Sequence, residues 1–344
     1  MNENANAGVS EGASAGANEN ASASANANVN VNVNVDASSW VSPSQPVKII
    51  LDTDIGPDCD DAGALAVLHA LADRGEAEIV GVMHNTSSSW GAGCIDAISA
   101  YYGRPNLPIG TLKDEGFLVG EPYEKYNKYV SQHYPNRYPD GSGVPDATAL
   151  FRKLLAAEPD RDVTVVGIGP LRNLRLLLES GPDEASPLDG EALVAAKVQR
   201  LVVMGGAYPS GEEWNFQMDP ASASQVCERW PTPILFCGFE IGENLLTGGR
   251  MFEELPVDHP VRQAYALFLD GKTDRSSWDL ITVLCAVRGF VPYWDIEAGG
   301  KVDIDERGGN VWRQADSGNH AYLKPKLDPI QAQRLLDELL VWRP

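Results

Sequence analysis

Five carboxylates lie within ten residues, Asp52-Thr53-Asp54-Ile55-Gly56-Pro57-Asp58-Cys59-Asp60-Asp61, directly after an apolar run, Val47-Lys48-Ile49-Ile50-Leu51. Like charges packed this closely repel unless a cation neutralises them. Ligands that are all oxygen suit a hard cation such as Ca²⁺ or Mg²⁺. The expectation is a metal-dependent site at the C-terminal end of the first strand of an α/β domain, the edge where such sheets bind ligands. A plainer use exists for one acid, because Asp60 or Asp61 could cap the helix that follows. Capping accounts for one aspartate and leaves four.

Polar residues follow other apolar runs as well. His84-Asn85 comes after Ile79–Met83, and Gly169-Pro170-Leu171-Arg172-Asn173 after a run ending at Ile168. Met204-Gly205-Gly206 closes another run, with Glu213-Trp214-Asn215 shortly beyond, and Ser277-Trp278-Asp279 precedes the helical run Leu280–Val287. Any one of these is ordinary, since Asn after a strand is usually a turn residue. Their occurrence at one edge of one sheet favours a functional reading of the set. An Asp-x-Asp after the first strand also opens phosphatases of the haloacid-dehalogenase type, where the first Asp is the nucleophile. Ile55-Gly56 does not match the pattern those enzymes need next, and no convincing late Gly-Asp-x-x-x-Asp motif is present.

The elements that would position these residues alternate. Asp61–Asp73 has helical period, and Ile79–Met83 reads as a buried strand. Ala97–Tyr102 lies in a helix, Val163–Ile168 is a strand, and Leu171–Leu178 a helix. Leu201–Met204 and Ile234–Cys237 are further strands. Asp219-Pro220 and Asp328-Pro329 each open a helix, with Asp as cap and Pro at the first helical position. Short apolar strands alternating with helices predict an α/β fold, a single domain with a mainly parallel central sheet and helices on both faces. The stretch from Leu112 to Gly143 is rich in Tyr, Pro and Gly, and reads as a long insertion, a candidate lid. Residues 1–45 are low-complexity Asn, Ala, Ser and Gly, ending in an Asn-Val alternation. They offer too little apolar area to offset chain entropy and read as a disordered extension of a domain spanning 46–344.

Twenty-seven Lys+Arg against 48 Asp+Glu give a net charge of −21 over 344 residues. That argues against nucleic acid and anionic lipid as partners, both of which need a basic face. Five scattered cysteines without CxxC spacing predict neither a disulfide framework nor a zinc site and suit a reducing, cytoplasmic setting. No secretory signal is readable, and no apolar run reaches membrane-spanning length.

Taken together, the motifs resemble the inosine-uridine preferring nucleoside hydrolases from Val47 to Leu340. Asp52-Thr53-Asp54-x-Gly is similar to that family's opening motif, and Gly167-Ile168-Gly169-Pro170-Leu171-Arg172-Asn173-Leu174 to its second signature. Glu213-Trp214-Asn215-Phe216-Gln217-Met218-Asp219-Pro220 matches its Glu-aromatic-Asn…Asp-Pro block in spacing. The resemblance implies Ca²⁺ held by Asp54, Asp61, Asp279 and the main-chain carbonyl of Ile168, with Asp54 as general base toward water. It implies a ribose held by Asp60, Asn85 and Asn215, with Glu213 on the 5′-hydroxyl, Met204 and Trp278 at the substrate, and Asp52 supporting the loop. The implied reaction is hydrolysis of a ribonucleoside N-glycosidic bond to ribose and free base. The implied assembly is a homo-oligomer, dimer or tetramer.

Three departures qualify that expectation. Two extra residues in the Asp loop let Asp58 compete with Asp60 for the sugar. The segment before Glu213 is shortened to Tyr208-Pro209-Ser210-Gly211-Glu212. Trp278 stands where one branch has a His that protonates the leaving base, and Trp has no such proton. Stacking by Trp278 or Trp90 would replace it and suit a purine. His84 and His133 are alternative acids, each with an ordinary core or surface role competing. A Ca²⁺-dependent riboside binder without turnover is the second expectation.

Overall fold

The computed structural model describes residues 45–315, 317–326 and 329–343. The low-complexity head, save Gln45, and the Asp328 cap lie outside the described residues.

Twelve strands occur among the described residues: β1 (Val47–Thr53), β2 (Ala77–His84), β3 (Ile109–Thr111), β4 (Val163–Ile168), β5 (Val198–Met204), β6 (Ser210–Glu212), β7 (Ile234–Cys237), β8 (Leu246–Thr247), β9 (Arg275–Ser276), β10 (Trp294–Ile304), β11 (Gly309–Gln314) and β12 (His320–Pro325). Ten form one sheet in the order β3-β2-β1-β4-β5-β7-β12-β10-β11-β6, and β8 and β9 form a separate ribbon. Pairing is parallel from β3 through β12 and antiparallel from β12 to β6. The fold is thus the expected mainly parallel α/β sheet, with an antiparallel wing that the sequence reading did not anticipate.

β1 is central and buried on both faces, which is why it reads as a continuous apolar run rather than an alternation. Ile49 and Leu51 join the core on one side, and Ile50 joins the core on the other. The first core packs α1 (Asp60–Asp73), α2 (Gly91–Tyr101), α11 (Pro260–Leu269), α12 (Trp278–Arg288) and α13 (Pro329–Leu340). The second packs α4 (Ala147–Ala157), α5 (Arg172–Glu179), α6 (Gly190–Lys197) and α8 (Pro220–Arg229). The remaining helices are α3 (Asn127–His133), α7 (Trp214–Met218), α9 (Phe239–Gly242) and α10 (Gly249–Glu254).

Parallel register brings the candidate residues level. Thr53 pairs with His84 on one side and Ile168 on the other, and Met204 of β5 sits opposite Cys237. The polar residues that follow these strands therefore share one C-terminal edge. Asp219 caps α8 as expected, accepting from the Ser222 backbone N–H at 3.2 Å with Pro220 behind it. Neither Asp60 nor Asp61 caps α1. Cys59 holds the cap position without a side-chain bond, and both acids lie in the first turn, where the helix dipole favours negative charge.

The 112–143 insertion carries the short helix α3 and is tied to the Asp loop. Asn127 Nδ2 donates to the Ile55 carbonyl at 3.0 Å, and the Lys125 N–H donates to the Gly56 carbonyl at 3.1 Å. Gly56 has φ +152°, and a Cβ there would lie 2.3 Å from Asn127 Nδ2 and 2.5 Å from the Tyr123 carbonyl oxygen. Gly56→Ala is therefore expected to cost about 1–3 kcal/mol and to loosen the insertion. Denaturant titration with limited proteolysis checks this; an unchanged midpoint and cleavage pattern would contradict it.

Candidate active site

A pocket of about 350 Å³ opens at the C-terminal edge of the sheet, lined by Asp54, Asp58, Asp60, Asp279, Glu213, Asn215, Ile168 and Met204, with Trp214, Trp278, Phe239, Phe268 and Arg275 around them. They come from loops and elements far apart in sequence, which the parallel register gathers.

Asp52 does not face the pocket. It is fully buried and accepts from Asn85 Nδ2 at 3.1 Å and Asn173 Nδ2 at 2.8 Å. Burial pushes its carboxyl up to about 7 against the pull of the two amides. Asn85 is spent partly on holding Asp52, and its Oδ1 is buried without a partner. A Cβ at Gly169 would lie 2.7 Å from Asp54 Oδ1 and 2.9 Å from Asn85 Nδ2, so only glycine lets that turn approach the two side chains.

Asp54, Asp61 and Asp279 are buried. Asp61 sits behind the pocket wall and accepts a hydrogen bond from the Thr53 hydroxyl. All three carboxyls are pushed well above the usual carboxylate range, first by burial and then by the neighbouring aspartates. Burial likewise lifts Asp60 to about 8. Removing carboxylates from water is costly unless a cation compensates them. The donors are hard oxygens, their charges mutually unfavourable, and the chemistry fits a hard divalent cation. Among the described residues, Asp58, Asp60 and Asp279 each place a carboxylate oxygen within 4.8 Å of the others. That trio shares only Asp279 with the set expected from sequence. The two sets adjoin.

Glu213 precedes α7 and accepts from the backbone N–H groups of Asn215 (2.7 Å), Gly206 (3.1 Å) and Phe216 (3.3 Å). Burial nevertheless raises its carboxyl to about 7. Asn215 Nδ2 donates to the Met204 carbonyl at 3.2 Å, which fixes its amide at the pocket wall.

Trp278 is half-buried at the pocket, not a core aromatic. Its ring stacks on Phe239 with centroids 5.2 Å apart, and Nε1 donates to the Phe239 carbonyl at 2.7 Å. The other residues weighed for the leaving base lie elsewhere. Trp90 precedes α2 with the Lys128 ammonium 5.1 Å from its ring centroid, outside the pocket lining. His84 is buried between the hydroxyls of Thr111 and Thr86, each at 3.0 Å, and burial lowers it to about 3, so it is neutral and committed. His133 is exposed on α3, stacked on Tyr129 at 4.0 Å.

Four lining residues escaped the sequence reading. Trp214 is 58% exposed at the mouth, although its neighbours Glu213 and Asn215 had been singled out. Phe239 and Phe268 carry no local signal. Arg275 stands three residues before Trp278, and its Nη2 donates to Asp58 at 2.7 Å and its Nε to Asp60 at 3.4 Å.

Comparison with known proteins bears on this geometry. The profile of the family described as inosine-uridine preferring nucleoside hydrolase matches residues 49–319. A non-specific ribonucleoside hydrolase RihC from Klebsiella pneumoniae (strain 342) is similar at 29% identity over 261 residues, covering 70% of this chain and 77% of that protein. Among solved structures, the purine-preferring ribonucleoside hydrolase from Gardnerella vaginalis aligns with a TM-score of 0.64 at 17% identity, over 86% of this chain and 98% of that one. The inosine-uridine preferring nucleoside hydrolase from Bacillus anthracis gives 0.63 at 17%, over 86% and 99%. At such identities the structural likeness speaks for the fold alone.

Proposed function

Since the chain belongs to the inosine-uridine preferring nucleoside hydrolase family, we propose that it is a Ca²⁺-dependent enzyme that hydrolyses ribonucleosides to ribose and free base, with purines favoured. Ribonucleoside N-glycosyl hydrolysis follows from the family. The calcium, the purine preference and the residue roles are our reading, which assigns the activity to residues 46–344. The observation that carries it is the acid-lined pocket faced by the stacked Trp278–Phe239 pair.

Held by Asp54, Asp61, Asp279 and the Ile168 carbonyl, Ca²⁺ would acidify water and grip vicinal hydroxyls. Asp54 takes the proton from the attacking water. A carboxylate beside the nucleophilic water can act as general base, and burial at the pocket wall holds Asp54 in place for it. Asp60, Asn85 and Asn215 hold the 2′- and 3′-hydroxyls, and Glu213, fixed by three backbone donors, holds the 5′-hydroxyl. Positive charge grows on C1′ as the glycosidic bond breaks, and the surrounding carboxylates favour it. The departing base lies against Trp278, whose ring Phe239 backs and whose Nε1 is already bonded. Trp278 thus offers a stacking face and no proton.

A reducing-sugar assay over a nucleoside panel, with and without chelator, tests the reading. Chelator-sensitive release of sugar from inosine or adenosine supports it, and riboside binding without release counts against it. Trp278→Ala is expected to raise KM for purine ribosides about tenfold, the scale of one aromatic stacking contact, and to leave calcium affinity unchanged. Steady-state kinetics on inosine and uridine check this. Undiminished purine kcat/KM in that variant removes the stacking role.

A further inference from the structure

Two acidic sets share Asp279 at the pocket wall, Asp58 and Asp60 on the outer side and Asp54 and Asp61 on the inner, and a guanidinium bonds to the outer one. Arg275 is the one basic side chain lining the pocket among the described residues. It donates through Nη2 to Asp58 Oδ2 at 2.7 Å and through Nε to Asp60 Oδ1 at 3.4 Å. Its guanidinium carbon also lies 4.9 Å from the Trp278 ring centroid and 5.1 Å from that of Phe268. Asp60 Oδ2 accepts from the Asp279 backbone N–H at 3.4 Å, so both Asp60 oxygens are held.

Asp58, Asp60 and Asp279 bring their oxygens within 4.8 Å of one another, which on spacing alone suits a divalent ion. Two of those three carboxylates already carry the guanidinium. A guanidinium cannot be deprotonated here, and its donors are set in a rigid fork. A divalent ion in the same trio would face that fixed positive charge at a few ångströms. Asp54 and Asp61, by contrast, form no ion pair with a basic side chain among the described residues, where Arg275 pairs with Asp58 and Asp60.

We infer that Arg275 occupies the outer trio in place of a metal ion, confining a divalent ion to the inner set of Asp54, Asp61 and Asp279. The inference rests on the calcium reading above. Arg275 is a positioning residue: it consumes Asp58, whose place in the longer Asp loop gives it a partner, and it fixes Asp60 toward the pocket.

The test counts ions on the full chain by isothermal titration with CaCl₂ and by equilibrium dialysis with ⁴⁵Ca. Wild type is expected to take up one Ca²⁺ per chain, and Arg275→Lys likewise one. Arg275→Gln exposes the outer trio and is expected to take up two, and adding Asp58→Asn to it is expected to restore one. One ion in Arg275→Gln at wild-type affinity, or two ions in wild type, overturns the inference while the calcium reading stands. No ion in any form overturns the calcium reading itself. A second measurement needs no loss-of-charge variant. The Arg275 Nε–H NMR signal, assigned by its loss in Arg275→Lys, is expected to stay protected from solvent exchange at saturating calcium. Collapse of that signal on calcium addition means that the ion displaces the guanidinium and overturns the inference.

Discussion

Asp54→Asn is expected to lower nucleoside turnover by at least about 10³-fold, since general-base catalysis alone contributes about 10²–10⁴ and the same residue is a proposed ion ligand. The substitution preserves shape and removes one charge and one proton acceptor. Its effect on the metal-free chain should run the other way. Asp54 is buried among aspartates that raise its carboxyl well above the ordinary range, so its charged form is disfavoured in the folded state. Replacing it with a neutral amide relieves that repulsion and should leave the calcium-free melting temperature equal or higher. Activity and metal-free stability thus move in opposite directions, which a global folding defect cannot produce. Steady-state kinetics, calcium titration and thermal melts in chelator check the three parts. Wild-type turnover in Asp54→Asn contradicts the assignment.

The Asp loop and most of the parallel sheet were readable because strands buried on both faces leave continuous apolar runs. Ile49-Ile50-Leu51 and Val163–Ile168 are of this kind, and both are fully buried. β10 through β12 left no such trace. β10 mixes buried and half-exposed positions across Glu297-Ala298-Gly299-Gly300-Lys301, where glycine and charge mask the alternation. α3 is seven residues long and buries only Asn127, Val130 and Ser131, too little for a helical period to show. At the site, residues beside a strand end could be found one motif at a time. Arg275 could not, because its partner Asp58 lies 217 residues away and only the fold joins them. His84 shows the converse. It follows a strand like the site residues do, yet Thr86 and Thr111 enclose it.

Calcium removal should abolish sugar release and lower stability more at pH 8 than at pH 5. Asp52 and Glu213 titrate near 7 and Asp60 near 8 in the folded chain, raised by burial from values near 4. Between those limits the folded state holds more protons than the unfolded state. Linkage then makes the metal-free stability fall as pH rises from about 4 to about 8, because stability drops wherever the native form binds more protons. Asp54, Asp61 and Asp279 are shifted in the same direction and add to the slope. An ion bound to those three replaces their protons, so its stabilising effect grows as they ionise. At a free calcium level of about 100 times Kd the gain is about 2.7 kcal/mol, or about 4 °C for a domain of this size. Melting curves with calcium and with chelator at pH 5 and pH 8 measure both slopes. A gap that is absent at pH 8, or wider at pH 5, would leave the buried aspartates without the cation that their arrangement requires, and the hydrolytic mechanism without its means of binding the sugar.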